Sequence, residues 1–266
     1  MDNRPIALFD SGVGGLTVAR ELVRFPCTLY FLYLADTGRL PYGTRPPAQV
    51  AAFTLQIIRF LEEKGAKMAV IACNTATAAG LEMARRSLTL PVLGVIDPGA
   101  AMAAQATRNG RIGISATPAT VSSGAYERAI KRINPDLEVH GEPCPEFVYL
   151  VEGGVKDVEL AKRTAQKCLS PLLEKGIDTL VLGCTHFPFL NEIIAGVVGE
   201  TVRLIDPAVG TVSEIERILQ EKDLVSESTV PQRTFFTSGD PAVFRQIGSL
   251  LFGHNIEKVE VVHWES

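Results

Sequence analysis

Two segments of this chain, 111 residues apart, read as copies of one another. Glu63-Lys64-Gly65-Ala66-Lys67-Met68-Ala69-Val70-Ile71-Ala72-Cys73 aligns without a gap on Glu174-Lys175-Gly176-Ile177-Asp178-Thr179-Leu180-Val181-Leu182-Gly183-Cys184, with five of the eleven positions identical, both cysteines among them. At a similar spacing Ile96-Asp97-Pro98 returns as Ile205-Asp206-Pro207. The run 6–9 with its polar tip Asp10-Ser11 parallels 112–115 with Thr117 just beyond. The plain alternative is that Glu-Lys-Gly ends many helices and that apolar strands look alike. Three correspondences in one order instead predict two homologous halves.

The unit that repeats is α/β. Short apolar runs followed by longer helical patterns recur from end to end, the pattern of strands crossing over through helices into a parallel sheet. Strands are predicted at 6–9, 29–35, 68–72, 92–96, 111–115, 137–140, 179–182 and 202–205, with a further strand, helix and strand at 233–236, 241–251 and 258–262. Helices are predicted over 13–25, from near Asn74, and after Pro46-Pro47, the last carrying Val50, Phe53, Ile57 and Leu61 on one face and stopping at Gly65. The fold class expected is α/β: two pseudo-symmetric open sheets of mostly parallel strands with flanking helices, and an active site in the cleft between them.

The two Ile-Asp-Pro elements are where the chain is expected to cross between halves. One domain is then discontinuous, 1–97 plus 208–266, and carries Cys73; the other, 98–207, carries Cys184. Proline after aspartate restrains the backbone, so the crossings are expected to be connecting strands that serve as a hinge.

Composition narrows the chemistry. A chain of 266 residues with 46% hydrophobic residues can bury a core in each half, which excludes a disordered chain. With 26 Lys plus Arg against 30 Asp plus Glu and no block of like charge, it lacks the positive field that phosphate backbones require, so no nucleic-acid partner is expected. No apolar run approaches the ~18 to 20 residues that span a bilayer, and only a short apolar stretch follows the first five residues. The expectation is a soluble, cytoplasmic protein with no membrane partner and no cleaved signal. Five cysteines, an odd count without C-x-x-C spacing, argue against a disulfide framework, and the four histidines do not cluster with them at zinc-ligand spacing, so no metal site is expected. Only Cys184 and His186 lie close, as C-x-H.

Cys73 and Cys184 each stand where an apolar strand meets a helical pattern, and in open α/β sheets ligands bind outside the carboxyl ends of strands. A helix N-terminus carries unsatisfied N–H groups and favours thiolate over thiol, which predicts a cysteine pKa below the usual value of about 8.5. A lone cysteine is more often a small buried hydrophobe, the reading that applies to Cys27, Cys144 and Cys168. Two equivalent placements point the other way. Pseudo-twofold packing brings Cys73 and Cys184 to opposite walls of one cleft, and inverting a stereocentre requires a base on one face and an acid on the other.

Candidate anchors surround the thiols. Asp10-Ser11-Gly12-Val13-Gly14-Gly15 is a strand tip and glycine-rich turn whose backbone N–H groups can hold a carboxylate or phosphate. It is not a dinucleotide fingerprint, because Thr17 stands where a third glycine is needed. Pro41-Tyr42-Gly43 follows the second strand and reads equally as a turn or as part of a site. Asn74, Thr75, Thr117 and Thr185 are helix-cap types, and caps at a sheet edge point into a cleft. His186 is placed to orient or acidify Cys184, or else to make a structural hydrogen bond.

Leu8-Phe9-Asp10-Ser11-Gly12-Val13-Gly14-Gly15, Pro41-Tyr42-Gly43, Ala72-Cys73-Asn74-Thr75-Ala76 and Gly183-Cys184-Thr185-His186-Phe187-Pro188 together resemble the glutamate racemase family, over nearly the whole chain. The resemblance implies an isomerase that interconverts L- and D-glutamate without a cofactor and supplies D-glutamate for peptidoglycan. It implies Cys73 as the acid/base group on the D-glutamate side and Cys184 on the L-glutamate side, assisted by Asp10 and His186. It implies substrate binding by Asp10, Ser11, Pro41, Tyr42, Gly43, Asn74, Thr75, Thr185 and His186, with Thr117 and Glu152 as further site positions. A homodimer is implied as well. Two departures are visible: Gly38 stands where a small residue such as alanine is usual before Arg39, and Phe187 replaces a common tyrosine. With five residues before the first strand, the N-terminal extension by which some members are activated is expected to be absent. Two other readings stay open: racemisation of another acidic amino acid such as aspartate, and a two-lobed carboxylate or phosphate receptor whose cysteines are core.

Overall fold

A computed structural model describes residues 2–24, 30–226 and 230–264. Cys27 and the predicted element ends at Phe25 and Leu29 lie outside the described residues. The chain runs β1 (Ile6–Asp10), α1 (Leu16–Leu22), β2 (Tyr30–Ala35), α2 (Pro47–Glu63), β3 (Met68–Ile71), α3 (Asn74–Ser87), β4 (Val92–Gly94) and α4 (Ile96–Ala106). It continues with β5 (Arg111–Ala116), α5 (Pro118–Ser122), α6 (Ala125–Ile133), β6 (Glu138–Pro143), α7 (Glu146–Glu152), α8 (Val158–Glu174), β7 (Thr179–Gly183), α9 (Asn191–Val198) and β8 (Arg203–Ile205). It ends with α10 (Pro207–Glu221), β9 (Gln232–Thr237), α11 (Pro241–Phe252) and β10 (Val259–Val261). No helix among the described residues is long and apolar enough to cross a membrane.

The strands form two sheets, in the orders β10-β9-β2-β1-β3-β4 and β6-β5-β7-β8, and every pairing among the described residues is parallel. The order β2-β1-β3-β4 of the first sheet is thus reproduced by β6-β5-β7-β8 in the second. β3 and β7, the strands of the repeated segment, occupy the same place in each. Parallel strands covered on both faces need no polar alternation, and β1, β3 and β7 are buried at every position. The glycine after each repeated Glu-Lys takes the left-handed conformation that ends a helix, φ +87° at Gly65 and +69° at Gly176.

Two apolar clusters flank the first sheet, one holding Leu8, Tyr33 and Val70, the other Phe9, Leu34 and Ile71. Two more flank the second, around Leu180 and Leu182 on one side and Ile112, Ile114 and Val181 on the other. α4 packs Ile96, Ala100 and Ala103 into the last of these, whereas α10 packs Ala208, Val212, Ile215 and Leu219 under the first sheet.

The Ile-Asp-Pro elements correct one expectation. The strand predicted over 92–96 stops at Gly94, and Ile96-Asp97-Pro98 is the first turn of α4. Likewise Asp206 caps α10, its Oδ1 accepting from Ala208 N at 2.9 Å, with Pro207 at the first helical position. Proline lacks only an N–H that the first turn leaves unpaired, so each element starts a helix instead of forming a connecting strand. The two starts lie against each other: a Cβ added to Gly99 would sit 3.0 Å from Pro207 Cβ.

Candidate active site

In both sheets the strand order reverses between the first strand of the unit and its neighbour, β1 and β3 in one and β5 and β7 in the other. Connections leave to opposite faces at such a point and open a crevice at the carboxyl ends. Ser11 follows β1 and Cys73 follows β3; Thr117 follows β5 and Cys184 follows β7. The crevices face one another and enclose a cavity of about 60 Å³ lined by both thiols together with Ser11, Pro41, Tyr42, Gly43, Asn74, Thr75, Thr117, Thr185 and His186.

Each thiol has its own surroundings. Cys73 caps α3, its Sγ accepting from Ala76 N at 3.5 Å and donating to Ser11 Oγ at 3.7 Å. Burial, then the Asp10 carboxyl, push the Cys73 thiol up to about 12, outweighing the hydrogen bonds that pull it down. The sequence expectation of a lowered pKa at this helix start is therefore corrected: helix-start donors act locally, whereas loss of water and a neighbouring carboxyl come from the assembled site. Cys184 Sγ lies 3.7 Å from His186 Nδ1, and His186 Nε2 donates to Glu152 Oε1 at 2.7 Å. Burial alone depresses the His186 pKa, but the hydrogen bonds to Cys184 and Glu152 prevail and raise it to about 10. These partners favour the imidazolium, the form in which both ring nitrogens donate.

Hydrogen bonds tie the two sheets together around the cavity. Thr185 Oγ1 donates to Asp10 Oδ2 at 3.1 Å, and Tyr126 OH donates to Asn74 Oδ1 at 2.7 Å. The hydroxyls of Thr75, Thr117 and Thr120 form a triangle with sides of 2.9, 3.2 and 2.9 Å. Of the four predicted cap residues only Thr117 caps a helix, accepting from Thr120 N at 3.3 Å. Asn74 and Thr75 lie inside the first turn of α3 because Cys73 takes the cap. Glycine makes the approach possible. A Cβ on Gly14 would overlap Thr185 Oγ1 and sit 2.8 Å from His186 Nδ1, and one on Gly43 would sit 3.0 Å from Thr117 Cβ.

Two predicted site residues stand behind the cavity wall. Asp10 is fully buried, accepts from Gly12 N at 2.8 Å and from Thr185, and has its pKa raised by burial against the pull of His186 and these donors. Glu152 reaches the site only through His186. Leu40, Thr44, Pro118, Pro145, Val148 and Tyr149 complete the lining and were not predicted. Leu40 and Thr44 flank Pro41-Tyr42-Gly43, and Pro145, Val148 and Tyr149 follow β6, so the carboxyl-end rule that found the cysteines was the available signal. Cys144 and Cys168 belong to the second-sheet core, as expected.

A duplicated parallel α/β unit thus closes on one thiol-lined cavity between two sheets, the architecture of a two-sheet α/β protein with its site in the cleft. Residues 25–215 match the family described as Asp/Glu/hydantoin racemase, and the chain belongs to that family: it is a racemase. It is 44% identical over 264 residues to a glutamate racemase of Geobacter metallireducens, covering 99% of this chain and 98% of the relative. It is 45% identical over 265 residues to one of Lactococcus lactis, covering 98% and 97%. Among solved structures, a glutamate racemase isoform of Bacillus anthracis superposes with a TM-score of 0.95 at 38% identity, and one of Francisella tularensis in complex with D-glutamate with 0.92 at 34%, each pair covering 98% of both chains.

Proposed function

We propose that this racemase interconverts L-glutamate and D-glutamate by two-base proton transfer at Cα, with Cys73 and Cys184 as the acid/base pair. The observation that carries the reading is the equivalence of the two sulfurs, each at the switch point of the same strand order and both lining one cavity. One thiolate and one thiol supply the base and the acid that inversion needs, and they exchange roles with direction. Burial and the Asp10 carboxyl favour the protonated form of Cys73, and Cys184 has the His186 ring beside it at 3.7 Å. In the L-to-D direction Cys184 takes the Cα proton and Cys73 delivers one to the opposite face. In reverse Cys73 must ionise, and the substrate's α-ammonium supplies the nearby positive charge that offsets burial.

The surrounding donors suit a dicarboxylate. Ser11, Thr75, Thr117 and Thr185 offer hydroxyls, and the Tyr126 bond to Asn74 Oδ1 leaves the amide nitrogen free to donate into the cavity. Such fixed donors stabilise the charge that develops on the α-carboxylate as the proton leaves. Asp10 acts through Thr185, and Glu152 through His186. Relatives that carry the name glutamate racemase, one of them solved with D-glutamate, support glutamate as the substrate. The product then serves peptidoglycan synthesis in the cytoplasm, with a homodimer as the working assembly. The moving bodies are 1–97 plus 208–266 and 98–207, hinged where the two Ile-Asp-Pro turns touch.

Incubation with L-glutamate in D2O without added cofactor, followed by circular dichroism and Cα deuteration, tests this. Racemisation with deuterium at Cα is expected. No exchange by folded protein overturns the proposal, and exchange on L-aspartate alone transfers it to that substrate.

A further inference from the structure

The cavity wall formed by residues 40–44 hangs from one carboxylate that does not itself line the cavity. Asp36 follows β2, is fully buried, and accepts from four donors. Oδ1 takes Ser238 Oγ at 2.6 Å and Trp264 Nε1 at 2.8 Å; Oδ2 takes Arg39 Nε at 2.7 Å and the hydroxyl of Tyr42. Its backbone N donates to Asp10 O at 2.9 Å, which fixes it to the end of β1 beside the site. An ionised carboxylate only accepts, and four convergent donors fill it well.

Around this hub the loop is closed on every side. The Arg39 guanidinium lies between the rings of Phe53, at 4.0 Å, and Trp264, at 4.5 Å, and its Nη1 donates to Gln56 Oε1 at 2.8 Å. The Arg39 carbonyl accepts from Arg45 Nε at 2.9 Å, which ties the far end of the turn back to its start. Tyr42 is buried against Phe53 with its hydroxyl turned to Asp36, away from any ligand. What this turn offers the cavity is therefore backbone. The N–H groups of Tyr42 and Gly43 make no hydrogen bond within the described residues, and Gly43 is pressed against Thr117 of the opposite sheet.

We propose that Asp36 and Trp264 are positioning residues for substrate binding: the C-terminal segment, through the indole N–H on Asp36 and the indole face on Arg39, holds Tyr42 and Gly43 so that their N–H groups meet a substrate carboxylate. The proposal rests on the glutamate reading for its ligand, although the network itself can be read without one. A misplaced turn loses contacts that ground state and transition state share, so it raises KM and leaves kcat nearly unchanged.

Three variants test it. Trp264→Phe keeps a ring over Arg39 and removes only the N–H; Tyr42→Phe removes only the hydroxyl; Asp36→Asn replaces an acceptor with an amide that cannot serve all four donors. Each is expected to raise KM for L-glutamate about tenfold, the worth of one hydrogen bond to a charged group, with kcat within about twofold. Asp36→Asn combined with Tyr42→Phe is expected to fall short of the product of the two single effects, since the Tyr42 hydroxyl and Asp36 share one bond. Trp264 is the only tryptophan in the chain, so its emission reports the network before any ligand is added. Asp36→Asn is expected to shift that emission, and D-glutamate to change it saturably in the unaltered protein. Unchanged KM in all three variants, or kcat and melting temperature falling together at constant KM, overturns the positioning role. An emission shift in Asp36→Asn alongside an unaltered protein that neither binds nor turns over glutamate overturns the glutamate reading instead.

Discussion

Replacing Gly14 with alanine separates closure of the cavity from stability of the fold. The new methyl group would overlap Thr185 Oγ1 and approach His186 Nδ1 and Cε1 at 2.8 and 3.0 Å. Neither neighbour is free to yield, because Thr185 is bonded to Asp10 and His186 to Cys184 and Glu152. Overpacking of this kind costs about 1 to 3 kcal/mol. Here the cost falls on the closed arrangement of the two sheets, since Gly14 belongs to one and Thr185 and His186 to the other. At ~1.4 kcal/mol per tenfold, kcat/KM for L-glutamate should drop by roughly 5- to 150-fold. The melting temperature should move by no more than a few degrees, helped by the ~0.4 to 1 kcal/mol that alanine gains through a less flexible unfolded chain. Gly15→Ala is the control. Its methyl would lie 2.6 Å from Asp10 Cβ, 2.9 Å from Tyr33 OH and 3.0 Å from Ala72 Cβ, all within the first sheet and its loops, so it should lower the melting temperature. Circular-dichroism rates and thermal melts on both variants decide it. Unaltered kcat/KM in Gly14→Ala, or a melting temperature lowered as far as in Gly15→Ala, refutes the argument.

Cys73→Ser and Cys184→Ser should each fold and melt like the parent yet lose racemisation by at least about 10²- to 10⁴-fold, the scale of one general acid/base, as measured by optical rotation of L- and D-glutamate. Because the folded His186 pKa is raised from 6.5 to about 10, its contribution to stability is complete below pH 6.5 and is lost as pH rises from there through about 10. Denaturant melts across that window should show the decline, and His186→Asn should flatten it. Glu152→Gln keeps an acceptor for His186 Nε2 but removes the carboxylate charge that strengthens that bond, so the alkaline limb of activity should move to lower pH; an unmoved limb would show that His186 does not set it. Phe147 is fully buried and packs edge-on against Phe187, centroids 4.9 Å apart. Phe147→Ala should destabilise by about 3 to 5 kcal/mol in urea unfolding.

The duplicated architecture was legible because strands buried on both faces leave apolar runs, and because a left-handed glycine after Glu-Lys marks the same helix end twice. Cys73 and Cys184 could be placed for the same reason, by the position of a strand end. Ile96-Asp97-Pro98 was misread because Asp-Pro suits an extended connection and a helix start alike, and only the packing of α4 on the second sheet decides between them. The Cys73 pKa was out of reach for a different reason: its burial and its proximity to Asp10 exist only after β1 and β3 have paired. Asp36 gave no signal at all. Its partners Ser238 and Trp264 lie 202 and 228 residues further along the chain, and nothing near Asp36 in sequence announces them.

The threonine triangle, the Tyr126–Asn74 bond and the Thr185–Asp10 bond have a kinetic consequence. All join one sheet to the other, and all involve residues that line the cavity. At about 0.5 to 1.5 kcal/mol each they hold the two sheets together around the cavity, and any motion that swings the sheets apart must break them. Strengthening them would fix the two thiols more firmly relative to one another and at the same time resist any parting of the sheets, so rigidity of the site and freedom of the cleft pull in opposite directions.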